Sequence, residues 1–455
     1  GDAVIGATVN GHGTLVVRAT HVGRDAVLGQ IVRMVREAQG TKAPIQRVAD
    51  RVIDWCVPLV IVLAAITFAA WWLIGPEPAL TFALVSSISV LIIACPCAMG
   101  LATPTAVMVG TGRAADAGVL IRGGAALEAA GELEVVVFDK TGTLTVGRPG
   151  LGHVRVADGF EADTVIAWAA AAERGSEHPL AAAIVAEAER RGLALAEPSD
   201  FEAVTGRGVQ ATIDGHEVRV GSAAFLAQAG IDPSAVPAVD GSTPATSVVV
   251  AVDGVAAGAL DITDEIKPAA REAVAELQHN GVEVHLLSGD SEAAARAVAD
   301  AVGIEHVRAE VLPGDKAAHI VALQAGGRRV AMVGDGINDA PALAQADVGI
   351  AIGTGTDIAL EASDITLVGG DPRLVGTAMR LSRSTLRVIR QNLGWAFGYN
   401  VILIPVAMGL LYPFFGLRLD PILAAAAMAF SSVSVVLNSL RLRRLPVSPG
   451  SAKDW

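Results

Sequence analysis

Four stretches of this chain contain no charged residue: Trp55 to Gly75, Ala79 to Gly112, Asn392 to Gly416 and Pro421 to Leu440. At about 1.5 Å per helical residue, each is long enough to cross about 30 Å of hydrocarbon. Inside lipid the backbone must satisfy its own hydrogen bonds, so helices are expected in all four. Between the second and third stretches lies a charged, glycine-rich segment, Arg113 to Arg390, with the composition of ordinary soluble protein. The pattern describes a multi-pass membrane protein, with lipid as one of its partners and one large soluble insertion. Basic residues cluster on one side of the spans. Lys42, Arg47 and Arg51 precede the first, Arg113 and Arg122 follow the second, Arg383, Arg387 and Arg390 precede the third, and Arg441, Arg443 and Arg444 follow the fourth. The opposite hairpins hold only Arg418. The positive-inside bias therefore predicts a cell-membrane protein with both termini and the insertion in the cytoplasm.

The insertion is organised around Phe138-Asp139-Lys140-Thr141-Gly142-Thr143, which follows the apolar run Val135-Val136-Val137. A strand ending in a loop of small hydroxylic residues places Asp139 as a nucleophile able to carry a phosphoryl group. Lys140, Thr141 and Thr143 supply charge and hydrogen bonds around it. Two more strands end the same way, one at Ser288-Gly289-Asp290 and one at Gly334-Asp335-Gly336-Ile337-Asn338-Asp339. These are the marks of one parallel sheet whose carboxyl edge gathers Asp139, Asp290 and Asp335, hard oxygens suited to Mg²⁺ and phosphate. Lys316 is a candidate to neutralise the transferred group. Helical, alanine-rich sequence from Asp163 to Arg191 and short strands to about Gly258 read as a domain inserted after Asp139. Within it Glu173, His178 and the turn containing Gly206 and Gly208 are weak signals taken alone. A net charge of -13 and no basic stripe exclude nucleic acid as a partner.

In the second span Pro96 interrupts an apolar helix between Cys95 and Cys97. Such a break is tolerated only where the backbone is buried or lines a cavity. An opened helix lets two thiolates at i and i+2 face one site, a soft ligand pair favouring Cu(I), Zn(II) or iron–sulfur chemistry. The three cysteines, Cys56, Cys95 and Cys97, all lie in membrane segments and make no disulfide framework. The last two spans add Tyr399-Asn400 and Met428 with Ser431 and Ser432, the latter three on one helix face.

Together these residues resemble the P-type ATPases, specifically the heavy-metal-transporting type 1B pumps and their copper(I)-exporting branch, over practically the whole chain. Asp139 to Thr143 match the phosphorylation loop, Gly334 to Asp339 the Mg²⁺ loop, and Lys316 a phosphate-contacting lysine. Asp264, in Asp-Glu-Ile-Lys-Pro, matches a further phosphorylation-domain motif. The resemblance implies ATP-site roles for Glu173, His178, Gly206, Gly208 and Asp264, and places Asp139, Thr141, Asp335 and Asp339 around Mg²⁺. It implies a Cu(I) site at Cys95, Cys97, Tyr399, Asn400, Met428 and Ser431, with Ag(I) also accepted. It implies supply by a cytoplasmic copper chaperone or copper–thiol complex. The implied fold is a multidomain membrane protein: α-helical spans, a cytoplasmic α/β phosphorylation domain of the haloacid-dehalogenase-like Rossmann type, and an inserted α+β nucleotide-binding domain. The expected division is 1–42 actuator-domain remnant, 43–112 two spans, 113–147 and 259–380 phosphorylation domain, 148–258 nucleotide-binding domain, 381–445 two spans and 446–455 tail. Ala211 replaces the third glycine of a Gly-x-Gly-x-x-Gly turn, and Ser222 stands for an asparagine. The actuator's Thr-Gly-Glu loop and about four earlier spans are expected upstream of Gly1. The alternatives are a non-transporting piece that binds ATP and phosphorylates itself, a Zn(II)/Cd(II)-type pump, and a soluble phosphatase.

Overall fold

The computed structural model describes residues 44–176, 179–204, 207–237, 246–335, 339–353 and 363–447. The expected actuator-domain remnant, 1–42, lies outside the described residues. Among the described residues, three helices are long and apolar enough to cross a membrane: Pro44–Ile74, Ala79–Asp116 and Pro421–Arg444. The second divides into Ala79–Ile93 and Cys97–Asp116, because Pro96 has no N–H to continue the ladder. The third charge-free stretch departs from expectation, since it is not a helix of its own. It is the distal part of the 34-residue helix Leu374–Ala407, whose first half packs in the soluble core through Val375, Ala378, Met379 and Ile389. Gly409, at φ +84°, ends that helix region, and the remaining residues form the short helix Tyr412–Phe415.

The helices pack as membrane helices do, through small residues and interhelical hydrogen bonds. A Cβ on Gly110 would lie 2.4 Å from Thr385 Oγ1, so only glycine admits this approach. Asn392 donates to the Ala102 carbonyl at 3.1 Å and to Ser439 Oγ at 2.9 Å, and accepts from Asn438 at 2.9 Å. The outward faces are apolar, with Leu59, Ile66, Leu73, Val401, Ile422 and Phe430 exposed, as hydrocarbon requires.

The soluble segment contains two sheets. The first has seven strands in the order Val119–Ile121, Ile365–Leu367, Val348–Ile352, Val330–Gly334, Val135–Asp139, Glu283–Leu287 and His306–Arg308. All neighbours are parallel except the first pair. Its central strands are buried on both faces and accordingly read as apolar runs rather than alternating ones. The second sheet is antiparallel with six strands, in the order Thr145–Val156, Val255–Ile266, Thr246–Val252, His216–Gly221, Gly208–Ile213 and Ser199–Val204. The helices Ala162–Glu173 and Pro179–Arg190 cover it with a core of their own. The chain leaves the first sheet just after Asp139 and returns along Val255–Ile266. This second sheet therefore runs past both limits expected for the inserted domain, 148 and 258.

Candidate phosphorylation and transport sites

Val135–Asp139 lies between Glu283–Leu287 and Val330–Gly334, with Asp139 paired to Leu287 and Phe138 to Val333. Parallel neighbours end on the same edge, so Asp139, Asp290 and Asp335 emerge together, as their strand-end positions require. Asp139 is 6% exposed. Lys316 Nζ donates to Asp139 Oδ1 at 2.6 Å and to Asp339 Oδ1 at 2.6 Å. Lys316 is itself 5% exposed, although it stands at the start of a helix. Burial, then Asp339 and Asp335, push the Asp139 carboxyl up to about 7 against the opposing pull of Lys316. Burial alone would lower Lys316, but Asp139 and Asp339 outweigh it and leave its ammonium more tightly protonated than usual.

Gly142, at φ +72°, turns the loop under Asp335; a Cβ there would stand 2.9 Å from Asp335 Oδ2. Thr143 is fully buried, and its hydroxyl has no hydrogen-bond partner among the described residues. An orphaned hydroxyl beside a nucleophile is a ready donor to a phosphate oxygen. Thr141 is exposed. Lys140 forms an ion pair with Asp290, at the next strand end.

Asp264 accepts from Thr145 Oγ1 at 2.5 Å and from the Gly147 amide at 2.9 Å. In this structure it clamps the two strands that connect the sheets. Lys267, in the same motif but not singled out from the sequence, donates to the Gly142 carbonyl at 2.7 Å and the Gly370 carbonyl at 2.9 Å. Burial holds its ammonium below the usual lysine range. Lys267→Ala is expected to cost about 2 kcal/mol, as charged hydrogen bonds do, and to loosen the Asp139 loop. A lowered Tm of the detergent-solubilised chain, with faster amide exchange at Gly142, would show it.

Glu173 ends its helix 8% exposed, and burial raises its pKa. Its Oε2 has no partner among the described residues. Gly208 opens a strand where a Cβ would meet the Val220 carbonyl at 2.3 Å, so close strand approach alone accounts for glycine there. Ala211 is buried in the sheet core, and Ser222 caps the helix Ala223–Gln228. His178, Gly206 and Gly336 to Asn338 lie outside the described residues.

In the membrane segments, Cys95 and Cys97 flank the helix break with Cα atoms 5.4 Å apart, and their sulfurs are joined as a disulfide. The expectation of two thiolates concerns the reduced pair; the break brings positions i and i+2 within bonding reach of each other. Cys95 packs in a cluster with Ile93, Ala407, Ala424 and Met428. Asn400 and Ser431 are buried, and Asn400 Oδ1 and Ser431 Oγ have no hydrogen-bond partner among the described residues. They differ in this from Asn392 and Ser439, which bond across helices. Tyr399 sits beside Trp395, with ring centroids 6.4 Å apart.

Residues 133–347 match a family model described as haloacid dehalogenase-like hydrolase. The chain is 52% identical over 446 residues to Copper-transporting ATPase 1 of Rhizobium meliloti, covering 97% of this chain and 54% of that protein. It is 53% identical over 449 residues to Probable copper-exporting P-type ATPase V of Mycobacterium tuberculosis, covering 98% of this chain and 57% of that protein. The chain thus spans a little over half the length of these curated relatives. Among solved structures, a zinc-transporting PIB-type ATPase in its E2.Pi state aligns with TM-score 0.70 and 34% identity, over 92% of this chain and 68% of the other.

Proposed function

Because the chain belongs to the heavy-metal, type 1B P-type ATPases, we propose that it is the catalytic and metal-gating part of an ATP-driven Cu(I) exporter. The single observation that carries this reading is the convergence at one sheet edge. Asp139 stands there as acceptor, Lys316 fixes one of its oxygens, Thr143 has a spare hydroxyl, and Asp335 is held against the loop. The free oxygen of Asp139 attacks the γ-phosphorus of ATP, the bond to the departing ADP oxygen breaks, and an aspartyl phosphate results. Lys316 and the Thr143 hydroxyl stabilise the equatorial oxygens as charge develops. The carboxylates fit Mg²⁺: Asp335 and Asp139 would hold it, in the pocket that Asp339 closes and Thr141 borders, and when bound it neutralises phosphate charge. Glu173, buried with a spare oxygen, is the residue we assign to the adenine side, with His178, Gly206 and Gly208 nearby in sequence.

For the cargo, Cys95 and Cys97 in their reduced form are the ligands, with Met428, Asn400, Ser431 and Tyr399 on the neighbouring helices. No carboxylate lies in the last two spans. Two thiolates would then be the only formal negatives around the ion, which suits monovalent Cu(I) or Ag(I) better than Zn(II). The catalytic part faces the cytoplasm in this reading, where a copper–thiol carrier would deliver the ion. The test is Cu(I) binding by the reduced chain in detergent, measured by competition with a Cu(I) chelator. Cys95→Ser and Cys97→Ser are each expected to weaken binding by at least ~10-fold. Undiminished binding in the double variant rejects the assignment.

A further inference from the structure

Away from the phosphorylation loop, the edge of the seven-stranded sheet carries a cluster that the reaction above does not use. Glu283 and His285 begin Glu283–Leu287, and His306 begins the edge strand His306–Arg308, in direct register with His285. One ligand atom from each of Glu283, His285 and His306 falls within 4.8 Å of the other two. His285 Nε2 lies 2.5 Å from Glu283 Oε1, and His306 Nε2 lies 4.0 Å from the same oxygen. The two imidazoles stack with centroids 4.6 Å apart. A third, His319, stands 6.2 Å from His285, and its buried Nε2 has no hydrogen-bond partner among the described residues. Three of the nine histidines of the whole chain cluster at this sheet edge, two of them beside Glu283.

We propose that Glu283, His285 and His306 form a binding site for a borderline divalent cation of the Zn(II) class. Two imidazoles and one carboxylate are a ligand set such ions favour, and Zn–N and Zn–O distances of about 2.0–2.2 Å put neighbouring ligand atoms about 3.3–3.6 Å apart, so the Glu283 carboxylate would swing slightly off His285 while His306 moves in. His306 is half exposed and on a three-residue edge strand, so it can turn to meet the ion; His285, with a 12% exposed side chain, is already positioned. Arg328 holds the second oxygen of Glu283 at 2.8 Å, which leaves Oε1 facing the imidazoles. The site differs in chemistry from the membrane thiol pair, since it contains no sulfur, and it rests on neither the copper nor the phosphorylation reading. It would pin the edge strand to its neighbour just before the turn where Ser288 and Asp290 exchange backbone hydrogen bonds with Arg308, Glu310 and Val311.

The experiment is Zn(II) binding by the full chain in detergent, in a Cys95→Ser/Cys97→Ser background that removes the paired thiols, with excess Mg²⁺ present. The background protein is expected to hold one Zn(II) that His306→Ala and Glu283→Gln each bind at least ~10-fold more weakly. Co(II) in the same place should give visible ligand-field bands that His306→Ala loses. Arg328→Met, which only frees the second oxygen of Glu283, should keep the binding. The proposal is overturned if His306→Ala and Glu283→Gln bind as the background does. It is equally overturned if Arg328→Met loses binding to the same extent, which would mark general disruption of the edge.

Discussion

Asp139→Asn is expected to abolish phosphoenzyme formation from γ-labelled ATP and at the same time to raise the stability of the Mg²⁺-free chain at neutral pH. The first effect follows because an amide has no anionic oxygen to attack phosphorus. The second follows from the environment of the carboxyl. Its folded value is pushed up to about 7, from the ordinary aspartate value of about 3.9, by burial and by Asp339 and Asp335. Between those two values the unfolded chain has already released the proton while the folded chain retains it. The unfolded state binds fewer protons there, so stability falls as pH rises from about 4 to about 7 and levels off above. Asparagine does not titrate, so the advantage of Asp139→Asn should be small at pH 4 and grow to a few kcal/mol at pH 8. Thermal melts at both pH values measure it. A variant that still labels, or one whose advantage shrinks with rising pH, contradicts this account of the site.

The second large effect is expected of Lys316→Met. Its ammonium lies within hydrogen-bonding distance of both Asp139 and Asp339, whose side chains are 9% and 1% exposed. Removing one partner of a buried ionic cluster costs about 3–5 kcal/mol, because the remaining charges are left uncompensated. Here two like charges remain, and each opposes ionisation of the other. The Asp139 carboxyl would rise further, so the penalty should deepen as pH increases from 5 to 8, the direction found for any acid whose folded value is raised. Phosphorylation should also fall, since the cation beside the acceptor is gone. Denaturation at the two pH values, with phosphoenzyme levels at pH 7, separates this from a packing defect, which would show no pH dependence.

Much of this was legible in the chain itself. Runs without charge can be placed only in hydrocarbon or in a core, and four of them bracketing a charged segment left little choice of architecture. Three strands that each end in an aspartate predicted a shared sheet edge, because parallel neighbours must finish on the same side. Less legible was anything depending on which partner a charge meets. Lys140 is adjacent to Asp139 in sequence, yet the strand geometry turns it to Asp290, while Lys316, 177 positions away, reaches the nucleophile. Lys267 stood in a motif already noticed, but its role as a clamp needs Gly142 and Gly370, which only the fold brings near.

The membrane segments divide in the same way. Sequence alone determined the helix break at Pro96 and the two sulfurs beside it, since a missing N–H is a local property. The tertiary structure decided that Asn392 and Ser439 satisfy one another across helices, whereas Asn400 and Ser431 keep unspent polar atoms. It also decided that the third apolar stretch is the continuation of a helix rooted in the soluble core. Periodicity and charge are carried by the chain and can be read along it. Pairing between distant side chains is a property of packing, and it becomes definite only when the elements are set against each other.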